Sequence, residues 1–94
     1  MEEVYLDNMK KGETYYFVQT IDKEGLGIDI CGDAPFDSDV FMESHLGKIV
    51  SGGHIMKTGD REFNVWNMGN SFLMVDWQQM QHYAKIENLK VEYK

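Results

Sequence analysis

One proline, one cysteine and one arginine are all that the chain spends on those three residue types. A single cysteine, Cys31, permits no internal disulfide, which suits a reducing compartment. A single arginine and the absence of a basic stripe argue against direct nucleic-acid binding, because phosphates need many cations to neutralise them. No apolar run approaches the roughly 18 residues that span a bilayer. No apolar stretch follows the acidic start Met1-Glu2-Glu3, so no signal peptide is expected. The lone Pro35 and the short polar breaks leave no room for a long linker. The expectation is one cytoplasmic domain over residues 1–94, with no membrane contact.

Positive charge is also scarce, and its scarcity is local. The net charge is −7. Asp22, Glu24, Asp29, Asp33, Asp37, Asp39 and Glu43 face only Lys23 within their segment, so six of the seven net negative charges fall between residues 22 and 43. Such a segment is either a solvated face that aids solubility or a surface for a basic partner or a cation.

What the chain has in plenty is β-favouring apolar residues. The strongest signal is Arg61 to Trp77, two apolar runs about Asn67-Met68-Gly69-Asn70, which predicts a central β-hairpin closed by Gly69 in the left-handed region. Its outer strand would place Phe72 and Met74 on one face and Leu73, Val75 and Trp77 on the other. Val4-Tyr5-Leu6 reads as an edge strand or ordered arm. Thr14–Asp22 and Leu26–Cys31 read as a second hairpin about Lys23-Glu24-Gly25, with Tyr15, Phe17, Ile21, Leu26, Ile28 and Ile30 on one side. Asp37-Ser38-Asp39 caps a short helix to Leu46, stopped by Gly47. Lys48–Thr58 reads as a strand interrupted by Gly52-Gly53. A turn at Gly59-Asp60 would pair Lys57 with Glu62, Met56 with Phe63, His54 with Val65 and Gly53 with Trp66. Gln78–Tyr83 predicts a helical turn with Trp77, Met80 and Tyr83 on one side, and Ile86–Lys94 a terminal strand. The fold class is mainly β with minor α: an antiparallel sheet of six or seven short strands, rolled or sandwich-like, with one or two short helices.

Few motifs carry chemistry. Asp29, Asp33, Asp37 and Asp39 lack the EF-hand spacing, and caps and solvated charge explain them without a cation. Cys31, His45, His54 and His82 lack zinc-ligand spacing, and Cys31 lacks a nucleophile motif. Ser51-Gly52-Gly53-His54 is neither a nucleophile elbow nor a P-loop. In-strand glycines more often mark a bulge or close packing, with an anion cradle as the functional alternative. No cofactor, metal site or catalytic set is expected.

In small size, acidity and want of catalytic motifs, the chain resembles phage counter-defence and bacterial immunity proteins. The resemblance implies an inhibitor that covers a basic, nucleic-acid-binding surface of another protein, and no residue is carried over from it. The leading expectation is a non-enzymatic binding protein using Asp22, Glu24, Asp29, Asp33, Asp37, Asp39 and Glu43, with Tyr16 and Phe36 as aromatic anchors. The alternative is a domain that binds a nucleotide or metabolite at Gly52, Gly53, His54 and Trp66. A free edge at either terminal strand would let two copies pair as a homodimer.

Overall fold

The β-branched and aromatic residues of Thr14–Asp22 and the alternating Leu26, Ile28 and Ile30 of Gly25–Cys31 set two strands, β2 and β3, side by side in one hairpin. They pair antiparallel from Tyr16 with Cys31 to Asp22 with Gly25. Gly25 supplies the positive φ of the turn, +117°, and the Asp22 carboxylate accepts the Glu24 amide at 2.8 Å. The computed structural model describes residues 3–32, 48–69 and 74–94. The expected helix at 38–46 lies outside them.

Around this hairpin the described residues form one six-stranded sheet, in the order β1-β3-β2-β4-β5-β6. β1 is only Glu3–Val4, followed by a 3-10 turn at Leu6–Asn8. β4 is Lys48–Gly59, β5 Glu62–Trp66 and β6 Lys90–Tyr93. A single α-helix, α1, runs Trp77–Glu87. The mainly β class stands.

Three expectations are corrected. First, the outer strand of the expected hairpin does not run to Trp77: residues 74–76 are not a strand and Trp77 opens α1, while Phe72 and Leu73 lie outside the described residues. Asp76 decides this as the N-cap, its carboxylate accepting the Gln79 amide at 3.2 Å. Met80, Tyr83 and Ala84 then fall on one buried stripe, so the helical period prevails over the alternation of Val75 and Trp77. Gly69, meant to close the hairpin turn, does not have a positive φ. Second, β6 runs parallel to β5, Glu62 opposite Lys90 through Val65 opposite Tyr93. A helix between two neighbouring strands is the crossover that parallel pairing requires. Third, the β4–β5 register is one residue away from the expected one. His54 faces Trp66, Ile55 faces Val65 and Lys57 faces Phe63, with a bulge before Gly59 pairs with Glu62. The turn is Asp60-Arg61, and Arg61 itself takes the left-handed conformation at φ 55°.

The sheet has two unlike faces. Phe17, Ile30, Ile55, Phe63 and Val65 are sealed against Met80 and Val75 on the α1 side, with Tyr15 and Met9 completing the cluster. Val18, Cys31 and Met68 form a smaller cluster, joined by Tyr16 and Ile49. Gly53 is where backbone and core meet most closely. A Cβ there would collide with the Trp66 carbonyl oxygen and come 2.9 Å from Val75 Cγ2. No helix among the described residues is long and apolar enough to cross a membrane.

Candidate binding surfaces

The observed register assembles an aromatic row. Tyr16 on β2 lies opposite His54 on β4, which lies opposite Trp66 on β5. The Tyr16 and His54 rings have centroids 4.9 Å apart and a tilt of 43°. His54 and Trp66 stack at 5.3 Å and 17°. These separations are close to the strand spacing, so the rings stand side by side across three strands. All three are half-buried. The His54 Nδ1 atom is sealed from solvent and has no hydrogen-bond partner among the described residues. Burial lowers the His54 pKa below the ordinary imidazole value of 6.5, so the ring is neutral at pH 7.

Of the expected ligand set, His54 and Trp66 therefore come together. Gly53 alternates to the other face, where it pairs with Phe17. Gly52 is buried, and its amide donates to the Met74 carbonyl at 2.9 Å. With that donor engaged, Gly52 is not an open amide for an anion.

Of the expected partner-binding set, Asp22 and Glu24 are exposed at the tip of the β2–β3 hairpin. Among the described residues neither enters an ion pair. Asp29 sits half-buried on β3, opposite Val18. Asp33, Phe36, Asp37, Asp39 and Glu43 lie outside the described residues.

Among the described residues no group of three or more His, Cys, Asp and Glu is placed to hold a metal ion. Cys31 is buried and in no disulfide. Tyr16 stands between Cys31 and His54, facing each across one strand boundary, so the two are roughly 9–10 Å apart, too far for a nucleophile–base pair. His82 is exposed on α1, and His45 lies outside the described residues.

Two hollows escaped sequence reasoning. One, of about 190 Å³, lies between Tyr5, Leu6, Ile28, Asp29 and Tyr83, where the 3-10 turn and α1 flank the end of β3. Tyr83 stays protonated there, its pKa pushed up to about 12 by burial first and then by Glu87; Arg61 opposes the rise, and Asp29 adds the smallest push. The other is an open groove of about 570 Å³ beside Ile49, Ser51, Met74, Asp76 and Trp77. Both depend on contacts between elements distant in sequence, which no local pattern announces. When the chain is compared with known proteins, neither a protein-family model nor a curated protein matches it.

Proposed function

We propose that this chain is a small, acidic, non-enzymatic binding protein that covers a basic surface of another protein. The observation that supports it is the charge distribution: six of seven net negative charges between residues 22 and 43, with Asp22 and Glu24 exposed and in no ion pair among the described residues. Unneutralised carboxylates at the tip of a hairpin steer and orient a cationic partner. The sharpest form of the proposal is an inhibitor that occupies Lys and Arg positions otherwise used for phosphates. The test is a pull-down at low salt, eluted with a salt gradient. A basic protein eluting with salt supports the proposal. A variant with Asp29, Asp33, Asp37 and Asp39 changed to Asn should hold that protein more weakly, and equal retention by the variant would sink the acidic-surface reading.

A second reading is favoured by one specific observation, the sealed and unpartnered Nδ1 of His54 beside the stacked Trp66. A buried polar atom left without a partner calls for an explanation, and a small planar ligand against the aromatic row would supply one. Native mass spectrometry of the purified chain would then find a bound small molecule, and its re-addition would raise the melting temperature. A bare chain with an unchanged melting temperature across a metabolite panel contradicts this reading.

A further inference from the structure

We propose that the outer edge of β3 takes up an extended, basic segment of the partner protein by strand addition. This rests on the binding function proposed above and adds the mode of attachment and the chemistry of the segment. On its outer side β3 meets β1 only at Ile30 and Cys31, opposite Val4 and Glu3. The chain then leaves the sheet for the turn at Leu6–Asn8. From Gly25 to Asp29 no strand lies on that side among the described residues, although β2 pairs with the same residues on the other. Alternate residues of such an edge turn N–H and C=O outward, the template that an added strand uses.

The two edges of the sheet are protected unequally. β6 carries Lys90, Glu92 and the adjoining Lys94, with Glu92 and Lys94 paired at 3.4 Å, and charged side chains of this kind oppose addition. β3 between Gly25 and Ile28 has no charge and no proline. Beside it lies the hollow of about 190 Å³ among Tyr5, Leu6, Ile28 and Tyr83. Side chains of an added strand alternate, so one set points to the side of this hollow, where an apolar residue fits.

Charge selects the occupant. Asp22 and Glu24 stand about Lys23 at one end of the edge, in a chain of net charge −7. A second copy laid along β3 brings like net charge together, whereas lysine or arginine meets opposite charge. An extended segment alternating basic and apolar residues satisfies backbone, hollow and charge together.

The experiment titrates the intact chain at low salt with a short peptide alternating lysine and valine. Three companions are its glutamate counterpart and two forms N-methylated at one or the other set of alternate backbone amides. Strand addition expects the parent to bind, the glutamate peptide to fail, and one N-methylated form to lose roughly tenfold or more while the other binds like the parent. Hydrogen exchange should slow at Gly25–Ile28 on addition of the parent. Equal binding of all three lysine peptides overturns the edge while leaving the acidic binding function standing. No binding of the parent overturns the proposal. Glutamate binding as well as lysine overturns the charge argument, and with it the acidic reading. A dimer of the chain alone, with Gly25–Ile28 already protected, assigns the edge to a second copy and overturns it too.

Discussion

Trp66 stacks on His54 across the β4–β5 boundary, ring centroids 5.3 Å apart and planes within 17°. The stack exists because the hairpin register places His54 opposite Trp66, and it keeps the imidazole desolvated and neutral. A pH dependence follows. Because the folded pKa lies below 6.5, both states are neutral at His54 above that value. As pH falls through it, the unfolded chain takes the proton first, so stability declines from about 6.5 down to the folded value. Urea midpoints measured across that window should fall less steeply for His54→Gln than for the parent chain. Identical slopes would mean that the stack does not hold the proton off.

Gly53 tests the packing of the same hairpin. A Cβ there meets the Trp66 carbonyl and Val75, so Gly53→Ala should destabilise by about 1–3 kcal/mol. Gly69 has nothing within 4 Å of an added Cβ among the described residues and serves as the control. Gly69→Ala should stay within about 0.5 kcal/mol of the parent. Denaturant unfolding of both variants decides it.

How much of this was legible from the residues is clear at these positions. The β2–β3 hairpin could be read almost in full, because β2 is rich in β-branched and aromatic residues, Leu26, Ile28 and Ile30 alternate along β3, and Gly25 lies at the turn. The partner of His54 could not. Arg61 adopts a left-handed conformation that arginine does not advertise, and the bulge near Thr58 shifts the register by one, which exchanges the faces. The helical turn at 78–83 could be read from Trp77, Met80 and Tyr83, although the alternation of Val75 and Trp77 had suggested a strand up to its start. The parallel pairing of β6 was missed, because it follows from the helix acting as a crossover and no local pattern carries it. Of the candidate surfaces, the acidic tip was visible in composition, whereas the aromatic row and the hollow beside β3 arise from register and tertiary packing.

Arg61 also closes α1. Its guanidinium donates to the carbonyl oxygens of Glu87 and Asn88, the latter at 3.2 Å, at the negative end of the helix. Arg61→Ala loses these bonds and keeps a β-carbon at φ 55°; Arg61→Gly loses the bonds but relieves the backbone. The alanine variant should be less stable by about 1–2 kcal/mol, and the glycine variant should recover part of that loss in thermal unfolding. An alanine variant as stable as the parent would remove the capping role.

Gln19 is fully buried beneath α1, with its Oε1 unpartnered and its Nε2 only 3.4 Å from the Gln79 carbonyl. Gln19→Met keeps the shape and removes the desolvated oxygen. It should leave stability unchanged or raise it by about 1 kcal/mol. A loss of about 2 kcal/mol or more by chemical denaturation would show that the amide is needed where it stands.

The central claim, an acidic surface that holds a basic protein, is met most directly by the salt dependence of binding to the captured partner. The slope of log Kd against log salt should be steep for the parent chain and shallower for the Asp29, Asp33, Asp37 and Asp39 to Asn variant, with weaker affinity at low salt. Equal slopes and equal affinities would contradict the account.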